Sequence, residues 1–254
     1  MKIVITGTTS GIGRELALHY AAPHTTLGLI GRRQERLASV AEQCREQGAK
    51  VIPAPIDVQD ERAMQAYAEQ FIGQAQGIDL VIANAGIGAP DDLASGNAGH
   101  LTCLFEVNVI GLLNTLAPFI PRMMRQQHGQ IVAIASVAGF RALPGSTTYA
   151  ATKIAVRTLM EGYGWALRRH GITATTINPG FVVSEMTANH LFSMPFLVQT
   201  DMAVRKIARA IARKRRVYTF PWPMALIARL LPLIPGVVLA RLSRGNEGKP
   251  FQLS

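Results

Sequence analysis

Only two of the 254 residues are cysteine, Cys44 and Cys103. Two are too few for a disulfide framework and fit reduced thiols in a cytoplasmic protein. The six histidines are scattered without a close pair, so no metal site of ordinary ligand spacing is expected. A secretory signal is also missing. The opening MKIVITG holds a short apolar run ending in Thr-Gly, the pattern of a strand. Internal repeats, low-complexity tracts and linkers are absent, which leaves a single domain as the expected organisation. There is no unbroken apolar run of about 20 residues, the length a membrane-spanning helix needs. The nearest approach, FPWPMALIARLLPLIPGVVLA at 220–240, is interrupted by Pro221, Pro223, Pro232 and Pro235 and carries Arg229. Its longest uninterrupted pieces, MALIARLL and GVVLARLS, would each extend about 12 Å as helix.

Acidic residues are missing from 202–246, a stretch that holds ten Lys/Arg. Everything outside it is neutral, with sixteen charges of each sign, so the net charge of +10 belongs to the C-terminal fifth. Nothing else in the chain resembles a nucleic-acid module, and charge alone does not argue for one.

What is present is an alternation of short apolar runs with longer helical patterns. Strands are predicted at 3–6, 26–30, 50–56, 80–84, 131–136, 173–178 and 216–220. Helices are predicted for RELALHYAA after the first strand, QERLASVAEQCREQ after the second, from about Glu61 after the third, near 101–127 and near 149–169. The runs are rich in Val and Ile without polar alternation, as strands buried on both faces require. Such an order implies an α/β fold: a doubly wound parallel sheet of about seven strands with helices on both faces.

The first strand runs into Thr6-Gly7-Thr8-Thr9-Ser10-Gly11-Ile12-Gly13 and then a helix. Gly7 permits a tight turn, Gly11 lets backbone approach a pyrophosphate, and Gly13 lets the helix pack on the strand. The helix N-terminus adds unpaired N–H groups and a positive dipole end. An NAD site would place an acid at the end of the second strand to hold the ribose hydroxyls. Arg32 and Arg33 stand there instead. Guanidinium suits a 2′-phosphate in charge and geometry, so NADP(H) is the expected cofactor. Asp57, past the third strand, is placed to accept from an adenine amino group.

Three further features follow in order. Asn84-Ala85-Gly86 ends the fourth strand, Ser136 ends the fifth, and Tyr149-Ala150-Ala151-Thr152-Lys153 opens the next helix. Tyr and Lys four apart share a helix face. A cation about 4 Å from a phenol, at an effective dielectric near 20, contributes roughly 4 kcal/mol. That is about three pKa units, enough to bring Tyr149 toward neutrality.

Taken together, these residues resemble the short-chain dehydrogenase/reductase family, classical type, over Lys2 to about Thr187. The likeness rests on TGTTSGIG (6–13), Asp57, NAG (84–86), Asn108 within FEVNVIG, Ser136, YAATK (149–153) and Pro179-Gly180 with a hydroxyl at Ser184 or Thr187. It implies that Tyr149 exchanges a proton with the substrate oxygen and that Lys153 lowers the Tyr149 pKa and holds the nicotinamide ribose. Ser136 would steady the oxygen, and Asn108 would hold a water linking Lys153 to solvent. Pro179-Gly180 would turn the chain past the nicotinamide, whose carboxamide Ser184 or Thr187 would meet. Many family members carry threonine at the position of Ser184; serine keeps the hydroxyl. The resemblance also implies a homodimer or homotetramer.

The expected catalytic domain spans 1–220, with a substrate loop at 184–199, and an apolar, basic extension at 221–254 packs on it. Phe192, Met194, Phe196 and Leu197 make that loop apolar, which favours a hydrophobic carbonyl or alcohol as substrate. Residues 220–240 read as two short helices hinged at Pro232–Pro235. They either close the pocket or a subunit contact, or lie on the inner face of an anionic membrane through Trp222 and the leucines. The second role would make the chain a membrane-surface reductase of lipid-like 3-keto compounds. A protein that binds NADP(H) as a sensor, without turnover, is the rival from another class.

Overall fold

The computed structural model describes residues 1–91, 93–142, 145–188 and 194–237. Seven strands form one parallel sheet: β1 Lys2–Thr6, β2 Thr26–Ile30, β3 Lys50–Ala54, β4 Leu80–Ala83, β5 Gly129–Ile134, β6 Ile172–Pro179 and β7 Val217–Phe220. Their spatial order is β3-β2-β1-β4-β5-β6-β7. The chain therefore reverses direction across the sheet between β1 and β4. A crevice opens there above the strands' carboxyl ends, where such sheets bind ligands.

Helices cover both faces. On one side lie α1 (Gly11–Tyr20), α2 (Gln34–Glu46) and α9 (Thr200–Ala212), burying Leu16, Leu37, Val40, Val204 and Ile207 against Ile3, Ile5 and Leu29. On the other lie α3 (Glu61–Ala75), α4 (Ala98–Phe105), α5 (Gly111–Leu116), α6 (Ile120–Gln126) and α7 (Thr147–Leu167). That layer buries Met64, Phe71, Leu116, Phe119, Met123 and Val156 against Val4, Val81 and Ile131. Strands with helices on both sides have no solvent face, which is why their sequences lack alternation.

The helix expected at 101–127 begins at Ala98 and is not uniform. A π-helical turn, Glu106–Ile110, separates α4 from α5, and a 3-10 turn at Ala117–Phe119, containing Pro118, separates α5 from α6. By length and composition the whole of 98–126 could cross a membrane, yet its apolar side is core. Strand β3 stops at Ala54, short of the expected 56, and β6 runs one residue past its predicted end to Pro179.

After β6 come a short helix α8 (Glu185–Ala188), then α9, β7, α10 (Trp222–Leu230) and a 3-10 turn, Leu231–Leu233. Helix α10 buries Met224 and Ala228 and exposes Trp222, Leu226 and Leu230. Most of the second helix expected beyond Pro235 lies outside the described residues, as does Phe192 of the expected substrate loop.

Candidate active site

The reversal between β1 and β4 is closed by two side chains. Thr6 Oγ1 accepts the backbone N–H groups of Asn84 (3.1 Å) and Ala85 (3.2 Å). The Asn84 amide donates back to the carbonyls of Thr6 (3.0 Å) and Gly7 (3.3 Å). Gly7 takes φ +71°, and a Cβ there would stand 2.8 Å from the Ala85 Cα. A Cβ on Gly13 would fall 2.2 Å from the Gly7 carbonyl oxygen. Ser10, before the first turn of α1, makes no side-chain cap, and that turn holds no acid. The first-turn N–H groups therefore stay available to an anion, and Gly11 and Gly13 put no Cβ in the way. This cradle fits a pyrophosphate. Ile12 sits beside it and packs into the core.

At the end of β2 the two arginines diverge. Arg32 Nη1 donates to Asp57 (3.3 Å), which also accepts from the backbone and side chain of Gln59. Burial alone would raise the Asp57 carboxyl, but the Gln59 donors and Arg32 outweigh it and hold it below its ordinary value. Arg33 donates through Nε and Nη2 to Thr9 Oγ1 (3.1 and 3.0 Å) and through Nη1 to Glu185 (2.7 Å). Arg36, one turn along α2, donates to the other oxygen of Glu185.

Across the crevice, Ser136 follows β5 and Tyr149 and Lys153 project from the first turns of α7. The Ser136 hydroxyl accepts the Ala138 N–H at 3.1 Å and lies close enough to the Tyr149 phenol to act on its proton affinity. Lys153 is buried, and its Nζ lies 5.7 Å from the Tyr149 ring centroid and donates to the Ile134 carbonyl at 3.2 Å. Burial drives the lysine down to about 8. Burial also pushes the Tyr149 phenol above its ordinary value, and the Ser136 hydroxyl opposes this. The phenol is thus not drawn toward neutrality as the helical spacing suggests. The ammonium is turned to a backbone carbonyl, and desolvation dominates.

Asn108 lies in the π turn, buried, with every polar atom used. Its Oδ1 accepts the Ile87 N–H (2.9 Å), and its Nδ2 donates to the Ile87 carbonyl (2.9 Å) and to Thr152 Oγ1 (3.1 Å). Gly86 sits between the groups: a Cβ there would be 3.0 Å from Asn108 Oδ1 and 3.4 Å from Lys153 Nζ. Beyond β6, Gly180 donates to the Phe220 carbonyl (2.7 Å), turning the chain away from the sheet. Thr187 accepts the Ser184 N–H (2.9 Å) and donates to the Val182 carbonyl (2.8 Å), so its hydroxyl faces its own loop. Ser184 approaches the glycine turn, its Cβ 3.4 Å from where a Gly11 Cβ would stand.

The family described as short chain dehydrogenase matches residues 1–192. The chain belongs to the short-chain dehydrogenase/reductase family. An uncharacterized oxidoreductase of Myxococcus xanthus is 34% identical over 95% of this chain and 95% of its own. The crystal structure of a short-chain dehydrogenase/reductase from Burkholderia phymatum in complex with NAD superposes with a TM-score of 0.83. It is 26% identical and covers 99% of this chain and 98% of its own. A gluconate 5-dehydrogenase from Burkholderia cenocepacia, in complex with NADP and tartrate, gives a TM-score of 0.79 at 25% identity. That match covers 88% of this chain and 94% of the other.

Sequence reasoning missed several residues of this short-chain dehydrogenase/reductase. Asp91 accepts the N–H groups of Thr147 (2.5 Å) and Thr148 (3.0 Å), closing the start of the helix that carries Tyr149. Arg141 donates to the carbonyls of Leu231 and Pro232, each at 2.9 Å, and fastens the end of the α10 region beside the turn after Ser136. Met186 places its sulfur 3.3 Å from where a Gly88 Cβ would be, a point 3.7 Å from the Tyr149 ring. Arg36 and Glu185 complete the list. Each acts through a partner far away in the chain, a relation that no local pattern encodes. Of the expected loop residues, Phe196 and Leu197 are about half exposed.

Proposed function

We propose that this chain is an NADP(H)-dependent oxidoreductase that moves a hydride between the nicotinamide and a carbonyl or alcohol carbon of an apolar substrate. When bound, NADP(H) supplies or accepts the hydride. Thr6, Gly7, Thr9, Ser10, Gly11, Ile12 and Gly13 would hold the pyrophosphate and its approach, with Asn84, Ala85 and Gly86 along the far wall. Arg33 and Arg32 would take the 2′-phosphate, and Asp57 the adenine. Pro179, Gly180 and Ser184 would border the nicotinamide, Ser184 ahead of Thr187 because the Thr187 hydroxyl is already engaged.

The chain's own part is proton transfer and orientation. Ser136 holds the substrate oxygen against the Tyr149 hydroxyl. Tyr149 gives its proton to that oxygen during reduction and takes it back during oxidation. Lys153, buried beside the ring, restores the phenol proton and would hold the ribose hydroxyls. Asn108 keeps the 86–87 wall in place next to the lysine.

The observation that carries this reading is the proximity of Ser136, Tyr149 and buried Lys153, opposite a glycine-rich turn with an uncapped helix N-terminus. Met186 beside the Tyr149 ring supports an apolar substrate. NADPH oxidation against methyl ketones and 3-keto compounds of rising chain length tests it. Turnover rising with length, and lost by at least about 100-fold in Tyr149→Phe, is the expected result. Bound NADPH with no turnover on any carbonyl would favour a sensor.

A second reading places the enzyme on a membrane. Trp222, Leu226, Leu230 and Leu233 are exposed by 77, 53, 50 and 76%, a stripe at helical spacing on the far side of α10 from the fold. Flotation with anionic but not neutral liposomes, lost in Trp222→Ser with Leu226→Ser, is expected if this stripe meets lipid. The exposed apolar residues Phe105, Ile110, Ile154 and Trp165 on the α4–α7 layer support pairing with a second copy, to a dimer or tetramer. A cytoplasmic location accords with both readings.

A further inference from the structure

Glu185 opens α8, immediately past the segment that would border the nicotinamide, yet its side chain reaches the opposite end of the crevice. One carboxylate oxygen meets Arg33 Nη1 at 2.7 Å and the other meets Arg36. Two guanidiniums three residues apart on the start of α2 thus converge on one planar anion, the arrangement that phosphate recognition uses. Arg33 is further locked by two bonds to Thr9, in the turn that cradles a pyrophosphate. Arg36 and Glu185 also line a cavity of about 340 Å³ together with Thr9, Ser10, Gly11 and Arg14. The cavity and the ion pairs adjoin the phosphate-binding turn, and both arginine partners of Glu185 lie at the corner where a 2′-phosphate would sit.

A phosphate of charge near −2 cannot share these guanidiniums with a carboxylate in contact without like-charge repulsion. We propose that Glu185 is an internal competitor for the 2′-phosphate, occupying Arg33 and Arg36 in the free enzyme and releasing them when a 2′-phosphorylated adenosine binds. The proposal rests on the NADP(H) reading and deepens it. It makes Glu185 a specificity residue for the cofactor although it belongs to the substrate side of the fold. It also means that phosphate binding and the position of residues 184–188 are coupled. The start of that segment lies against the glycine turn, where Ser184 approaches Gly11, so the ion pair broken at one end is a tether lost at the other.

The test uses adenosine 2′,5′-bisphosphate and AMP as probes, titrated calorimetrically into the wild type, Glu185→Gln and Glu35→Gln. Glu35 is exposed on the same helix turn and lies outside the ion pairs described, so its variant reports a general loss of negative charge. Two exposed ion pairs correspond to a gain of about fivefold. Glu185→Gln is expected to bind the bisphosphate about that much tighter, with AMP unchanged and Glu35→Gln near wild type. An unchanged or weaker affinity in Glu185→Gln overturns the proposal. So does an equal gain for both probes, or an equal gain in Glu35→Gln. If the wild type does not prefer the bisphosphate over AMP, the NADP(H) reading itself fails, a result separate from the other three.

Discussion

Asn108 is clipped to both backbone groups of Ile87, accepting its N–H and donating to its carbonyl, each at 2.9 Å. One side chain thereby does for the loop following β4 what a neighbouring strand would do. The clip holds Gly86 against Lys153, where there is no room for a Cβ to spare. Asn108→Leu would leave two backbone groups of Ile87 without partners, each at about 1–3 kcal/mol when buried. Urea unfolding should show a loss of about 2–4 kcal/mol with an unchanged slope. A loss under about 0.5 kcal/mol would mean that water replaces the clip at no cost.

Lys153 lowers the stability of the free fold. Burial brings its pKa to about 8, against about 10.4 for a free lysine. Below pH 8 both native and unfolded chains carry the proton, and the native state bears the full desolvation penalty. Between about 8 and 10.4 the native lysine has lost its proton while the unfolded one keeps it, so stability from this group climbs with pH. Above that window the penalty is gone. Lys153→Met should therefore be more stable than wild type by about 3 kcal/mol at pH 7, with the difference shrinking toward pH 10. A difference that is flat with pH would show that the lysine is solvated.

Asp91 caps a helix from a distant loop. Burial would raise its carboxyl, yet the hydrogen bonds from Thr148 and Thr147 prevail and hold it below its ordinary range. Its negative charge also faces the positive end of α7. Asp91→Ala should cost about 1–2 kcal/mol. Because the first turn of α7 positions Tyr149, turnover should fall more than cofactor affinity does. Equal losses in turnover and affinity would place the effect in the whole fold instead.

Gly13 meets the most severe contact in the cofactor turn. A methyl group there would lie 2.2 Å from the Gly7 carbonyl oxygen and 2.4 Å from the Asn84 amide nitrogen. Neither neighbour is the free end of a flexible chain. Gly13→Ala should lower the melting temperature by several degrees, on the order of 4 °C or more. It should also abolish NADPH binding measured by fluorescence. Gly73→Ala, at an exposed helix position with nothing within 4 Å of the added carbon, should instead be neutral or slightly stabilising.

The seven strands were legible because parallel strands covered on both sides are apolar along their length, as 3–5, 80–83 and 131–135 are. Ser136, Tyr149 and Lys153 could be placed together from a strand end and a one-turn spacing. The cradle was readable for the same reason: its parts are neighbours in the chain. What could not be read depends on rotamers and on distant partners. The Lys153 ammonium donates to the Ile134 carbonyl, and burial decides which way Tyr149 shifts. Arg36 looks like an ordinary solvated residue of α2 until Glu185, 149 positions later, arrives beside it. The π turn at Glu106–Ile110 leaves no mark in a periodicity of 3.6, because a single wide turn displaces the apolar face by less than one residue.

Arg141 gives the C-terminal region a hold on the catalytic strand. It stands five residues after Ser136 and its guanidinium gathers the carbonyls at Leu231, Pro232 and Ile234. The Leu231–Leu233 turn and the turn that follows the serine therefore stand or fall as one unit. Shortening the protein to just before residue 230 would strip the guanidinium of its acceptors and disturb the serine from behind. A purification tag or fusion partner at the C-terminus is thus attached downstream of a working part of the enzyme, and trimming that end shapes the catalyst as directly as a substitution in the crevice does.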